Sequence, residues 1–205
     1  MARDRMPIVK RSRREGVALH PKAHKIMVRR KNVPGYSPTM RRRGRTTQYG
    51  TQLREKQKVK RLYGLLERPF RNLVSEAEKS GGVSGEKMLQ LLERRLDNVI
   101  YRLHLAPSRQ AARQLVSHGH ILLNDRRVNV PSIRVSQGDV IKIRPASASN
   151  KYFKVVKDEL DSNDQLPSWL SFNKTKMEAK VTGLPSRDEA EPGINESLII
   201  EFYSR

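Results

Sequence analysis

Apolar residues recur at helical spacing through residues 86–105, EKMLQLLERRLDNVIYRLHL. At about 100° per residue, the recurring side chains fall within an arc of about 120°, a width typical of a helix face buried against a core. The stripe consists of Met88, Leu89, Leu92, Leu96, Val99, Ile100 and Leu103. The pattern predicts one long helix, which follows the glycines of SEAEKSGGVSGE and has Ser84 as its N-cap.

A second helix is predicted between a capping serine and a glycine. The hydroxyl of Ser108 can accept from free N–H groups of the first turn, and Gly119 suits the left-handed conformation that ends many helices. One face carries the apolar side chains Ala111, Ala112, Leu115 and Val116. The opposite face carries Arg109, Gln110, Arg113, Gln114, Ser117 and His118. We therefore expect the first face to pack inward and the second to be exposed.

Alternating residues after this helix predict a small antiparallel sheet. The segment HILL leads through a turn at NDRR into VNV, and Pro131 ends the hairpin. A second turn, SQGD, precedes VIKIRP, in which Ile141 and Ile143 share one face, and Lys142 and Arg144 share the other. Two helices followed by such a sheet form a compact α+β module over residues 95–145.

The rest of the chain is predicted to be a mostly helical body into which this module is inserted, so the fold class is α+β. The body covers residues 46–94, where YGTQLREKQKVKRLYGLLERPFRNLV predicts a helix that Gly64 weakens. Its apolar candidates are Leu53, Leu62, Leu65 and Leu66. In the C-terminal segment, residues 146–205, MEAKV alternates like a strand, whereas NESLIIEFYSR is compatible with a helix or a strand.

Positive charge is concentrated at the N-terminus. The chain has 42 Lys and Arg against 21 Asp and Glu, a net charge of +21, and residues 1–45 alone have 15 basic and 2 acidic side chains. This segment lacks helical or strand periodicity and is predicted to be a basic arm. Its arginines include Arg11, Arg13, Arg14, Arg29, Arg30, Arg41, Arg42 and Arg43. A solvated disordered tail is the plainer alternative, but so dense a block of one sign favours a polyanionic partner.

Nucleic acid is the partner that best matches this excess, because phosphates neutralise lysine and arginine and release counterions. No acidic residue occurs between Asp97 and Asp125, so the polar face of the second helix also favours an anion. Arg95 and Arg102 lie side by side along one flank of the first helix. We expect both to face outward toward a phosphate.

Composition argues against several other functions. With no cysteine, the chain has no disulfide, thiolate nucleophile or cysteine-based zinc site. His20 and His24 have the spacing of half a metal site, but Pro21 lies between them and sulfur ligands are missing, so we predict neither metal nor cofactor. No apolar run approaches membrane-spanning length and no signal peptide follows the basic start, so we expect a cytoplasmic chain with no membrane partner.

The stretch RLDNVIYRLHLAPSRQAARQLVSHGHILLNDRRVNVPSIRVSQGDVIKIR resembles the RNA-binding module named after small-subunit ribosomal protein four. That module also occurs in some pseudouridine synthases, tyrosyl-tRNA synthetases and a ribosome-associated heat-shock protein. The flanking segments SRREG, YGTQLREKQKVKRLYGLLERPFRN, PSWL and INESLIIEFYSR are similar to the bacterial ribosomal protein family itself. The resemblance therefore covers nearly the whole chain.

Resemblance to that family implies a structural constituent of the small ribosomal subunit that binds 16S ribosomal RNA early and nucleates assembly of the subunit body. It also implies small-subunit proteins five and twelve as neighbours where messenger RNA enters the subunit, and an influence on decoding accuracy. Some members repress translation of their own operon. In the family the C-terminal end folds back on the body and makes protein contacts.

The resemblance also marks RNA-binding residues. Because an RNA duplex hides its deep groove, such proteins read shape, phosphates and 2′-hydroxyls. In the module the candidates are Arg109, Arg113, Gln114, Ser117, His118, Asn124 and Arg126; in the first helix of the body they are Tyr49, Gln52, Arg54, Lys56, Lys58 and Arg61. Many relatives have four zinc-binding cysteines in the N-terminal third, and others have PGQHG where this chain has PGYSP.

Two other classes of protein use the same module. An RNA-modifying enzyme needs a separate catalytic domain, but residues 146–205 contain no paired carboxylate, Ser/His/Asp or metal arrangement. A stress-related chaperone of stalled ribosomes would lack the basic arm and the QLREKQKVK helix. The sequence therefore predicts a ribosomal protein with no enzymatic activity and no small-molecule substrate.

Overall fold

The computed structural model describes residues 6–30, 32–35, 47–160 and 166–204. These residues form the helices α1 Ile8–Glu15, α2 Pro21–Arg29, α3 Gln48–Leu62, α4 Glu67–Lys79, α5 Ser84–Glu93, α6 Leu96–Arg102, α7 Arg109–Ser117, α8 Pro145–Ala148, α9 Lys151–Glu159 and α10 Glu196–Tyr203. The strands are β1 Ile121–Leu123, β2 Arg126–Val128, β3 Val140–Ile143, β4 Leu170–Asn173 and β5 Glu178–Val181. The chain divides into unit 1, which comprises Met1–Met88 and Pro192–Arg205, and unit 2, which comprises Leu89–Glu191.

Unit 1 is helical where it is described. α10 packs on α3 and α4, and α1 contacts α2 and α3. The helix predicted for YGTQLREKQKVKRLYGLLERPFRNLV is in fact two, α3 and α4, because Gly64 adopts a φ of +66° and turns the chain. Pro69 then lies in the first turn of α4, where a missing N–H costs little.

The N-terminal segment contains helices, so the prediction of an arm without regular structure does not hold for its described residues. α1 ends at Gly16, whose φ is +74°. α2 begins with Pro21, and the Nδ1 atom of His20 accepts from the backbone N–H of Lys22. Periodicity missed α1 because the residues that it buries, Arg11 and Ser12, are polar.

Unit 2 contains one antiparallel sheet in the strand order β2-β1-β3-β5-β4. The predicted hairpin is confirmed: Asn124 and Asp125 join β1 to β2 with φ values of 51° and 62°, as a two-residue type I′ turn requires. β5 pairs with β3, so the sheet continues into the segment that the sequence analysis placed outside the module. Residues 145 and 146, where we placed a boundary, lie within unit 2.

The predicted helix over residues 109–118 is also confirmed. The backbone N–H of Ala111 donates to the Ser108 hydroxyl, and Gly119 has a φ of +71°. Ala112 and Val116 are fully buried in a core that α6, α9 and the sheet share. The apolar face of α7 is therefore the inner one.

The long helix predicted for EKMLQLLERRLDNVIYRLHL is interrupted and becomes α5 and α6. At the break, the backbone forms two hydrogen bonds with the loop at residues 133–135. The N–H of Leu96 donates to the carbonyl of Ile133, and the N–H of Val135 donates to the carbonyl of Arg94. Arg95 is extended, with φ −66° and ψ 135°. Every residue of the apolar stripe is buried on both sides of the break. The periodicity of apolar residues therefore could not reveal that the helix is interrupted.

The C-terminal segment is shared between the units. α8, α9, β4 and β5 belong to unit 2, whereas α10 belongs to unit 1. MEAKV forms β5 as predicted, and NESLIIEFYSR, left open by its pattern, supplies the helix α10. Helices with one antiparallel sheet confirm the predicted α+β class.

Candidate nucleic-acid interface

The outer face of α7 is an uninterrupted polar surface, and we define the α7 surface as Arg113, Gln114, Ser117 and His118. Gln114, Ser117 and His118 are exposed, and Arg113 is half-buried. The Ser117 hydroxyl donates to the carbonyl of Arg113 over 2.8 Å. The side chains therefore face away from the core, as the sequence predicts.

Arg109, at the start of α7, has its guanidinium held by three groups of unit 2. Its Nε donates to the side-chain carbonyl of Asn98 at 2.8 Å, and its Nη2 lies 2.6 Å from a carboxylate oxygen of Glu191. Its Cζ lies 4.6 Å from the centroid of the Tyr101 ring. This predicted RNA ligand is therefore partly neutralised by the chain's own carboxylate.

The prediction that Arg95 and Arg102 face outward toward a phosphate is wrong. Arg95 is buried and donates through Nε and Nη2 to the carboxylate of Asp97, at 3.1 and 2.8 Å. Arg102 donates in the same bidentate way to Glu93, at 2.9 Å for each bond. The break between α5 and α6 turns both arginines toward carboxylates in the interior, where an unpaired charge would be costly.

At the β1–β2 turn, Asn124 and Arg126 have different environments. The Asn124 amide donates to Asp139 at 2.8 Å and accepts from the backbone N–H of Val140 at the same distance. Asn124 therefore stabilises the sheet as well as the turn. Arg126 is exposed at the start of the edge strand β2.

The helix α3 of the body exposes fewer of the predicted RNA-binding side chains than the sequence suggested. Tyr49 is 51% exposed and stacks at 5.6 Å on Phe202, but Gln52 is fully buried and Lys56 is 5% exposed. Lys56 lies 2.7 Å from Glu67 and over the Phe202 ring at 4.6 Å. The expectation that Gln52 and Lys56 face RNA is corrected, because packing of α10 on α3 covers that side.

The remaining cations of α3 also have partners in unit 1. Arg54 and Arg61 both donate to Glu15, whose side chain is fully buried; burial raises the pKa of this carboxyl although the arginines lower it. Lys58 lies 2.7 Å from Glu55. Arg54 and Arg61 thus join α3 to α1, whereas Lys58 pairs within α3.

The N-terminal arginines fall into three groups. Arg11 is buried, and Arg13 donates twice to the backbone carbonyl of Asn32, at 3.0 and 2.6 Å. Arg14, Arg29 and Arg30 are exposed. Arg41, Arg42 and Arg43 lie outside the described residues.

One cationic residue next to the α7 surface was missed in the sequence analysis. The guanidinium of Arg127 lies against the backbone of Gly119, where an added Cβ would be 2.5 Å from its Nε. The HGH sequence around Gly119 was the available signal, since a glycine between two histidines allows close approach to its backbone. Within the described ranges, no group of three His, Asp or Glu side chains could hold a metal, and no helix is long and apolar enough to cross a membrane.

Two family models together match residues 3–141 of the chain. The S4 domain matches residues 94–141, and the ribosomal protein S4/S9 N-terminal domain matches residues 3–93. The chain is 49% identical to the small ribosomal subunit protein uS4 of Chloroflexus aurantiacus over 206 residues, and 49% identical to that of Halothermothrix orenii over 213. The uS4 of Chlorobaculum tepidum is 45% identical over 207 residues, and in all three cases both chains are covered completely.

The fold and the α7 surface therefore define an RNA-binding protein built on an S4 domain. The similarity over the full length then identifies the family: the chain belongs to the uS4 family of small ribosomal subunit proteins. Members of this family are structural constituents of the subunit rather than enzymes. Ribosomal RNA is accordingly the partner of this chain within the small subunit.

Proposed function

We propose that this chain is a primary binder of 16S ribosomal RNA in the cytoplasm and nucleates assembly of the small-subunit body. The observation that carries the proposal is the α7 surface, which holds no carboxylate and belongs to a helix whose opposite face is buried. A helix anchored in this way presents its polar side chains with little loss of backbone freedom on binding. A rigid cationic platform suits recognition of RNA shape and phosphates.

Fewer residues are accessible for RNA contact than the sequence suggested. They comprise Tyr49, Arg54, Arg113, Gln114, Ser117, His118, Asn124, Arg126 and the exposed N-terminal arginines Arg14, Arg29 and Arg30. Arg109 joins them when RNA phosphate competes with Glu191 for its guanidinium. Arginine suits this surface because its planar fork binds phosphate oxygens bidentately.

Contacts with small-subunit proteins five and twelve form a further part of the proposal. Residues 146–205 hold 8 basic and 10 acidic side chains, a balance that favours protein over phosphate as a neighbour. Through these neighbours the chain contributes to translational accuracy near the path where messenger RNA enters. Binding to its own messenger RNA, as a second ligand of the same surface, would make it an autogenous repressor.

Binding of purified chain to 16S RNA tests the proposal. We expect affinity to fall by at least about tenfold between 50 and 200 mM salt, because several Lys and Arg contacts release counterions. An unrelated transcript of equal length, measured at the same salt, is the control and should bind more weakly. Flat salt dependence, or equal affinity for the two transcripts, contradicts the proposal.

Assembly is tested separately by order of addition. Later-binding small-subunit proteins should join 16S RNA faster when this chain is bound first than when it is added last. Equal rates in both orders would contradict a nucleating role while leaving RNA binding intact.

A further inference from the structure

Gly119 and Arg127 are in unusually close contact. An added Cβ at Gly119 would lie 2.5 Å from the Nε, 2.8 Å from the Nη2 and 3.0 Å from the Cζ of Arg127. The guanidinium thus occupies the space that a side chain would fill at any other residue type. Gly119 has a φ of +71°, so glycine is favoured here by the turn, and the absence of a Cβ leaves the space that the arginine occupies.

The sheet brings further cationic groups to the same side. Arg127 lies opposite Leu122 in the β1–β2 register, and so faces away from the core side that Ile121 occupies. The N–H of Arg144 donates to the carbonyl of His120 at 2.9 Å, which continues the β1–β3 register by one residue. His120, Arg127 and Arg144 therefore share one face of the sheet.

We define the Gly119 patch as His118 and His120, which flank Gly119, together with Arg127 and Arg144. The His120 ring lies 6.1 Å from that of His118 and 6.0 Å from that of Phe153. Its Nδ1 is 3.0 Å from the hydroxyl oxygen of Ser147. Burial lowers the pKa of His120, and His118, Arg144 and Arg127 lower it further. The charged groups that act on this ring are all basic.

Arg127 differs from three other arginines of unit 2 in its pairing. Arg95, Arg102 and Arg109 each bind a carboxylate of the same unit. Arg127 is exposed, and across the described part of the chain its side chain makes no hydrogen bond or ion pair. A guanidinium that lies beside other basic groups, without a carboxylate, is stabilised when an anion binds.

We propose that the Gly119 patch binds a phosphate of the ribosomal RNA and that Arg127 is its main ligand. The inference rests on the proposed RNA binding and extends it from the α7 surface, which shares His118, onto the open face of the sheet. Arg127 donates to the phosphate oxygens, while Arg144 adds positive potential.

The test compares two variants that remove the same charge from the same sheet. Arg127→Met should weaken binding to 16S RNA by about tenfold and reduce the slope of log affinity against log salt by about one. Lys180→Met is the control, because Lys180 is an exposed residue on the same face of the sheet, on β5. Its affinity should stay within about twofold of the unchanged chain. If both variants lose the same affinity for 16S RNA, or if Arg127→Met loses none, the proposal that the Gly119 patch binds phosphate is contradicted.

Two further measurements make the outcome decisive. Arg127→Met should keep the thermal unfolding midpoint, since the side chain is exposed and makes no hydrogen bond within the described chain. Arg144→Met, which changes the residue directly after β3, should also weaken binding, and unchanged affinity there counts against the patch. If the unchanged chain fails to bind 16S RNA, the proposed function falls together with the patch. If it binds and Arg127→Met binds equally, the patch alone is overturned.

Discussion

The guanidinium of Arg109 lies 2.6 Å from the carboxylate of Glu191, and that carboxylate also lies 3.4 Å from Arg102. Glu191 thus pairs with Arg109 before any RNA is bound, whereas Arg102 is already paired with Glu93. RNA phosphate must either displace this carboxylate or bind next to it.

Glu191→Gln is expected to strengthen binding to 16S RNA by roughly threefold, because a partly exposed carboxylate that competes with phosphate is removed. Equilibrium binding at one fixed salt concentration measures the effect. Asp158→Asn removes one negative charge from an exposed position of α9 and should change affinity less. Weaker binding by Glu191→Gln would instead show that Glu191 orients Arg109 for RNA.

The buried pair Arg95–Asp97 is expected to be essential for stability. Asp97→Ala leaves the Arg95 charge buried without its carboxylate, and should lower the free energy of unfolding by about 3 kcal/mol. The fluorescence of Trp169, which is buried in the same unit, follows unfolding in urea. The double variant Arg95→Met/Asp97→Leu should recover most of the loss, since it removes both charges. A loss in the double variant as large as in Asp97→Ala would contradict this explanation.

Docking of α10 is expected to be sensitive to acid. Burial raises the pKa of Glu67, but hydrogen bonds from Lys56, Lys60 and Tyr203 outweigh it and lower the pKa from 4.5 to about 2. Since the folded-state pKa is lowered, the stabilisation is complete above pH 4.5 and is lost as the pH falls toward 2. The protection of the α10 amides from hydrogen exchange, taken relative to the intrinsic exchange rate at each pH, should therefore decrease over this range.

Glu67→Gln provides the comparison for that measurement. Its α10 amides should exchange faster at neutral pH, and their protection should change less between pH 4.5 and 2 than in the unchanged chain. If the protection of the α10 amides changes equally with pH in both chains, a group other than Glu67 is responsible for the acid sensitivity.

Arg113→Glu is expected to weaken binding to 16S RNA by at least about tenfold, through lost pairing and repulsion of phosphate. Circular dichroism should show the free variant folded, since Arg113 lies on the outer face of α7. Lys157→Glu, the same charge reversal at an exposed position of α9, is the matched control. If the control loses as much affinity, the effect is one of net charge and the α7 surface is not the RNA-facing one.

Local signals predicted the RNA-binding module well. Ser108 and Gly119 delimit α7, and Asn124 with Asp125 makes the hairpin turn, because caps and turns depend on a few neighbouring residues. The apolar stripe also predicted which residues are buried. It did not predict where the helix breaks, because the competing hydrogen bonds come from Ile133 and Val135, far along the chain.

The sequence by itself determined the charge excess, the polar face of α7 and the α+β class, since these follow from composition, periodicity and turn chemistry. Only the tertiary structure decided which cations are available to RNA. Arg95 and Lys56 are buried against carboxylates, whereas Arg127 is brought to Gly119 by the pairing of β1 with β2. The physical reason is that the chain's own carboxylates compete with phosphate for arginine and lysine, and the packing of distant segments sets the distances that decide this competition.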